Sequence, residues 1–245
     1  MTDASDATDP SADTTAHDFL TATRRFYDAI AEDYAGQFRE DLAARPLERA
    51  LLTAYAETVL GEGAPAGDGQ VADLGCGPGV TTAFLASLGV PVLGVDLSAS
   101  MIAVARREHP GLRFEQGSML DLDLPDGRLA GVVSWYSSIH TPVDRLPALF
   151  SEFARVLAPG GHLLLAFQAG DAPRRITEPY GHPVSLDFQR RRPERIAGLL
   201  EEAGLRTLSH TVREAQRRPY EETSPHAFLI ARKPGPADTD SPRPA

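Results

Sequence analysis

The chain has 245 residues, 42% of them hydrophobic, with a formal net charge of −10 and a single cysteine, Cys76. That is enough for one α/β domain with a full core and a modest addition; the acidity opposes nucleic-acid and anionic-membrane partners, and one cysteine excludes an internal disulfide or a cysteine-based zinc site. No apolar stretch is long enough to span a bilayer and none follows the initial Met as a signal peptide would, so a soluble cytoplasmic protein is expected.

Residues 1–16 and 234–245 are polar or Pro-rich without apolar periodicity and read as disordered tails around one domain over 17–233. Tyr27, Ile30, Tyr34 and Phe38 fall three and four apart, as do Leu47, Leu51, Tyr55 and Val59, predicting two helices within 19–60. A first strand ends at Leu74; a helix follows with Val80, Phe84 and Leu88 on one face; residues 91–95 form the second strand. Ser98 is placed to cap a helix over 99–107, and 112–115 is a short third strand. After the turn signal Pro125-Asp126-Gly127, residues 129–134 are almost continuously apolar, as a central parallel strand should be. A helix carrying Leu146, Phe150, Phe153 and Leu157 leads through Pro159-Gly160-Gly161 into a strand over 162–167. Residues 168–192, rich in Pro, Gly and Arg, are too long for a plain connection and predict a long irregular insertion, of the kind that is usually functional. A helix with Ile196, Leu199 and Leu200 and strands over 205–214 and 226–232 complete a doubly wound α/β sheet, whose ligands belong beyond the carboxyl ends of the strands.

The most informative stretch is Val71-Ala72-Asp73-Leu74-Gly75-Cys76-Gly77-Pro78-Gly79, an acid-bearing apolar strand running into three glycines spaced two apart. Alternate glycines let the backbone turn sharply and approach a ligand at a helix N-terminus. The nicotinamide and flavin fingerprint needs glycine at 80, where this chain has Val80. A carboxylate at Asp73 would repel a pyrophosphate and attract a cationic amino-acid group.

Asp73 to Gly79 resembles motif I of the class I S-adenosylmethionine (SAM)-dependent methyltransferases. Gly94-Val95-Asp96-Leu97-Ser98 follows where that family places its ribose-binding acid, Gly117-Ser118-Met119 matches its adenine-flanking segment with Ser118 where Asp is frequent, and Arg155-Val156-Leu157-Ala158-Pro159-Gly160-Gly161 resembles the turn between its fourth helix and fifth strand. The resemblance implies a Rossmann-like, mostly parallel seven-stranded sheet with an N-terminal helical lid, a cofactor core over 70–167, and a substrate roof over 168–192. It implies SAM as cofactor, held by Tyr27, Asp73, Gly75, Cys76, Gly77, Asp96, Leu97, Met101, Ser118, Met119 and Trp135. Cys76 reads as a small apolar filler, and Leu97 and Met119 as an adenine sandwich or plain core residues.

Methyl transfer from a sulfonium is an in-line displacement with an activated electrophile, so positioning alone supplies about 7–11 kcal/mol. A phenol or alcohol acceptor gains a further 10²–10⁴-fold, roughly, from a placed base. His140, after the fourth strand, and His182, in the insertion, are the candidates, each with a structural role as the alternative. Tyr34, Tyr136, His140, Tyr180, His182 and Phe188 are candidate acceptor contacts, the aromatic ones by stacking. Arg190-Arg191-Arg192 and Arg217-Arg218 read either as sites for an acidic substrate or as solvated surface. The expected activity is methylation of a small molecule at oxygen or nitrogen, with no metal, nucleic-acid or membrane partner; a homodimer is compatible with it. The alternatives are a same-fold enzyme with non-methylating chemistry (rearrangement, cyclisation or decarboxylation), a non-catalytic SAM-binding subunit, and a nicotinamide oxidoreductase.

Overall fold

Apolar strands alternate with amphipathic helices along the chain, and a computed structural model that describes residues 10–61, 68–217 and 222–235 shows how they assemble. The strands are β1 (Val71–Leu74), β2 (Val92–Asp96), β3 (Arg113–Gln116), β4 (Leu129–Trp135), β5 (Leu157–Gln168), β6 (Arg174–Thr177), β7 (Ser185–Phe188), β8 (Arg206–Arg213) and β9 (His226–Arg232). Seven form one sheet in the order β3-β2-β1-β4-β5-β9-β8, with β1 to β5 parallel and β9 antiparallel to both its neighbours. Chain order reverses between β1 and β4, which opens a crevice beyond their carboxyl ends.

Side chains alternate across the central strands and feed two cores. Val132, Leu163 and Leu165 face α5 (Leu146–Val156) and α6 (Pro193–Glu202) through Phe150, Phe153, Ile196 and Leu200. Val133 and Leu164 face α2 (Pro46–Leu60) and α3 (Val80–Ser87) through Leu52, Tyr55 and Leu85. The Tyr55 hydroxyl, wholly buried, lies 3.1 Å from the carbonyls of both Val132 and His162. Gly131 makes room for it, since a Cβ there would stand 2.1 Å from the Tyr55 oxygen. Ser98 caps α4 (Ala99–Glu108) as expected, its Oγ accepting from the Met101 N–H at 3.1 Å.

Four expectations need correction. Helix α1 (Pro10–Phe38) begins inside the stretch read as a tail, because a proline is tolerated in a first helical turn, where its missing N–H would have no partner; residues 1–9 and 236–245 lie outside the described residues. The buried stripe of α2 is Leu52, Tyr55, Ala56 and Val59, while Leu47 is 38% exposed. The adjacent Leu51 and Leu52 satisfy helical spacing equally well, so periodicity alone picks the wrong one. Leu157 belongs to β5 and pairs with Leu129; the Pro159–Gly161 turn is a register shift inside that strand, with Gly160 at φ +85°. The insertion carries regular structure, for β6 and β7 form an antiparallel hairpin whose Leu186 and Phe188 pack on Phe26 and Ile30 of α1.

The other buried face of α1, Ala31 and Ala35, meets Met101 and Val104 of α4. Asp28 accepts from Ser98 Oγ (2.6 Å) and Ser100 N–H (3.2 Å), Glu32 takes both terminal nitrogens of Arg107 at 2.7 Å, and Arg39 reaches Glu108. These contacts hold α1 across the strand tips. None of the described helices is long and apolar enough to cross a membrane.

Candidate active site

β1 delivers Asp73 to the crevice, and the chain then turns through Gly75, Gly77 and Gly79 at φ +73°, +55° and +86°, values that strain any other residue. A Cβ on Gly75 would stand 2.2 Å from Ser137 Cβ and 3.2 Å from Met119 Cε, so glycine there lets the β4 tip and residue 119 close over the loop. At Gly77 a Cβ would meet nothing within 4 Å, and the bare backbone faces open space.

Asp73 is 1% exposed; Thr82 Oγ1 donates to one carboxylate oxygen at 2.6 Å and the other oxygen has no partner. Burial lifts its pKa to about 7, the Thr82 bond opposing and the charge of Asp96 adding. A buried, under-compensated carboxylate at a cavity wall is stabilised by a cationic neighbour. Asp96, half-buried at the tip of β2, accepts from the N–H groups of Gly77 and Ser98, both at 2.8 Å. Burial raises its pKa to about 6 against those bonds, and it is fixed in orientation with lone pairs to spare.

Two cavities meet at these residues. A smaller one of about 90 Å³ is bounded by Asp96, Leu97, Met101, Gly117, Ser118 and Met119. A larger one of about 290 Å³ lies beyond the glycine loop, against Asp73, Cys76 and Phe188. Tyr27, Tyr34, Gly75, Gly77, Trp135 and Tyr136 border both. All eleven residues expected around a cofactor therefore gather at one junction. The groups present fit SAM: a carboxylate with free lone pairs for ribose hydroxyls, an apolar slot for adenine, and an acid without a counter-charge for the amino group. Cys76 is buried with its thiol pKa pushed up by desolvation, as a filler should be.

His140 borders the smaller cavity, capped edge-on by Phe188 at a ring separation of 4.7 Å. Its Nδ1 lies 3.4 Å from the Asp187 carbonyl, which can only accept, so the proton sits there and Nε2 accepts from the Tyr27 hydroxyl at 2.8 Å. Burial lowers its pKa to about 4. We expect the His140 imidazole signals to titrate with a midpoint near 4 in a nitrogen-15 NMR titration, and this ring's share of stability to fall as pH drops below 6.5, where the unfolded chain takes up the proton first. A midpoint at or above 6.5 refutes the buried, tyrosine-capped arrangement.

Of the candidate acceptor contacts, Tyr34, Tyr136 and Phe188 border the larger cavity. Tyr180 and His182 are not brought to either cavity: the hairpin turn lies outside the sheet and docks on α1, with the Tyr180 hydroxyl on Gln37 (2.5 Å) and His182 Nε2 on Asp33 (2.9 Å). Sequence reasoning missed the far wall of the larger cavity. There Glu48 and Glu222, with side chains 2% exposed, lie between the guanidinium groups of Arg45 and Arg213, at 2.7–3.5 Å, and Arg45 also holds Asp41 at 2.7 Å. His226 Nε2 is 3.6 Å from Glu222, and its Nδ1 takes the hydroxyl of Tyr136 at 2.7 Å. Tyr136 sits at φ +57°, a conformation costly for a non-glycine residue and retained where a side chain must be aimed. Arg191 is also buried, donating to the carbonyls of Ser138 (3.0 Å) and Thr141 (2.6 Å) and so holding the turn that carries His140. No local motif marks Arg45, Glu48, Arg213, Glu222 or His226, whereas Tyr136 and the run holding Arg191 are singled out by the sequence.

Residues 71–161 match the family described as a methyltransferase domain. Among curated proteins, the chain is 37% identical over 115 residues to trans-aconitate 2-methyltransferase of Methylobacterium nodulans, covering 45% of this chain and 40% of that protein. It is 38% identical over 99 residues to fatty-acid O-methyltransferase of Mycolicibacterium smegmatis, covering 39% and 35%. The match thus spans well under two thirds of either relative's length. Among solved structures, the 1,6-didemethyltoxoflavin-N1-methyltransferase of Burkholderia thailandensis, bound to its acceptor and S-adenosylhomocysteine, superposes with a TM-score of 0.65 at 21% identity, covering 95% of this chain and 93% of that one. Residues 71–161 thus carry a methyltransferase domain, within a fold shared with that methyltransferase of known structure.

Proposed function

We propose that this protein transfers a methyl group from SAM to a small-molecule acceptor, at oxygen or nitrogen, by in-line displacement governed by positioning. The observation that carries the reading is Asp96, locked by two backbone N–H groups on the wall of the small slot, next to the glycine loop that borders both cavities. When bound, SAM supplies the activated methyl group. Asp96 would hold its ribose, Leu97 and Met119 its adenine, and the bare backbone at Gly77 and the acid at Asp73 its amino-acid end. The relatives named above act on small molecules at oxygen or nitrogen, which supports the same scale of acceptor here.

Incubation of the full chain with SAM and a panel of small metabolites, read by mass spectrometry, tests this. Methylated product with one equivalent of S-adenosylhomocysteine is the expected result. Product formed without it would identify non-methylating chemistry on the same fold, and SAM binding without any product would identify a sensor or subunit.

A further inference from the structure

The larger chamber has an unusual balance of proton acceptors and charges. Two histidines line the cavities, His140 the smaller and His226 the larger, and each has a tyrosine hydroxyl donating to the nitrogen that would otherwise take a proton: Tyr27 on His140 at 2.8 Å, Tyr136 on His226 at 2.7 Å. Their remaining nitrogens face the Asp187 carbonyl and the Glu222 carboxylate. Three of the chamber's four acids, Asp41, Glu48 and Glu222, are each ion-paired with Arg45, Arg213 or both, and the fourth is Asp73. Only Asp73 has no ion pair among the described residues, and the methyl-transfer reading gives its unpartnered oxygen to the amino group of the donor; the chamber's other acids and both histidines are already engaged.

The cations are not all engaged in the same way. Arg174, opposite Phe188 in the hairpin register, and Arg190, whose Nη2 donates to Thr223 Oγ1 at 2.6 Å, both border the chamber. Neither has a carboxylate within ion-pair distance among the described residues. Behind His140, Arg191 is 7% exposed and bonds only carbonyls, so a third guanidinium is buried beside the site without a counter-charge, although it lines neither cavity. The triple-arginine run therefore splits: Arg190 turns to the chamber, Arg191 inward, and Arg192 outward onto Asp171. Arg217 is exposed, and Arg218 lies outside the described residues.

Resting on the methyl-transfer reading above, we infer that the acceptor enters as a preformed anion, a carboxylate held by Arg174 and Arg190, and that no residue of this chain removes a proton from it. A carboxylate oxygen forms the new bond to the methyl carbon, the carbon–sulfur bond of the donor breaks with its electron pair kept on sulfur, and no proton moves. A carboxylate is already nucleophilic at neutral pH, so two histidines held neutral by burial, each with a pKa near 4, are compatible with turnover. An alcohol would find no base.

Trp135, the only tryptophan of the chain, borders both cavities and reports on the chamber by its fluorescence. Benzoate, benzamide and benzylamine are titrated into the full chain with and without S-adenosylhomocysteine. We expect benzoate to bind at least ~10-fold tighter than either uncharged or cationic analogue, and the Arg174→Gln, Arg190→Gln double variant to lose about 10-fold in benzoate affinity while S-adenosylhomocysteine affinity is unchanged. The exposed single variant Arg174→Gln gives the same direction if the double variant folds poorly. Equal or tighter binding of benzylamine or benzamide, no benzoate binding, or wild-type benzoate affinity in the variants overturns the inference. Failure to bind S-adenosylhomocysteine refutes the cofactor reading instead, because the benzoate preference is scored without it as well.

Discussion

Asp96→Ala lowers SAM affinity by about 100-fold or more. A carboxylate that accepts from two ribose hydroxyls makes two charge-assisted bonds of about 1.5–3 kcal/mol each, and 1.4 kcal/mol is a factor of ten in affinity. Little of this is recovered by water, because the carboxylate also organises its surroundings: the Gly77 and Ser98 N–H groups that now donate to it at 2.8 Å would be left without a partner. Asp96→Asn keeps the shape, loses the charge and should retain part of the affinity, near a 10-fold loss. Calorimetry on variants whose circular dichroism matches wild type decides the matter. An Ala variant within a factor of two of wild type would remove Asp96 from the site. The same bonds should weaken as pH falls through about 6, where burial has placed the Asp96 pKa and the carboxyl group starts to carry its own proton.

Glu222→Ala costs about 3–5 kcal/mol of folding stability, the usual cost of leaving a buried ion pair with one partner missing. Arg45 and Arg213 converge on this carboxylate at 2.7–3.0 Å, and the Gln216 N–H adds a bond at 2.8 Å. Burial alone would raise the Glu222 pKa, but the two arginines and that N–H bring it down to about 2. The sign of the pH dependence follows: the contribution is complete above the ordinary value of 4.5 and is lost as pH falls toward 2. Urea denaturation at pH 7 measures the loss, and Glu222→Gln should lie between Ala and wild type. A loss below ~1 kcal/mol would show that the network is dispensable to the fold.

The part of the site that could be read from the sequence is the part built from neighbours in the chain. Asp73 and the three glycines are one strand-turn-helix, and Asp96 to Ser98 is another, so spacing and residue type were sufficient. The chamber wall is different in kind, since Arg45 and Glu222 are 177 positions apart and meet only because β9 returns beside β5. His140 could be found because it follows β4 directly; His226 opens β9, with no motif around it. Tyr180 and His182 misled for a related reason, because the outward direction of a hairpin turn is not written in its composition. The Leu51 and Leu52 ambiguity and the Pro159–Gly161 turn inside β5 show the same limit at smaller scale: local pattern names the element, and tertiary pairing sets its boundary and face.

Tyr27 and Tyr34 stand on one helix and wall both compartments. A shift of α1 that admits one reactant therefore alters the enclosure of the other, and the two binding equilibria share a single mechanical element. Thermodynamic linkage then requires reciprocity: whatever factor an occupied donor slot contributes to acceptor affinity, an occupied acceptor chamber returns to the donor. Tyr27 reaches His140 directly, so that coupling factor would be sensitive to one hydroxyl group.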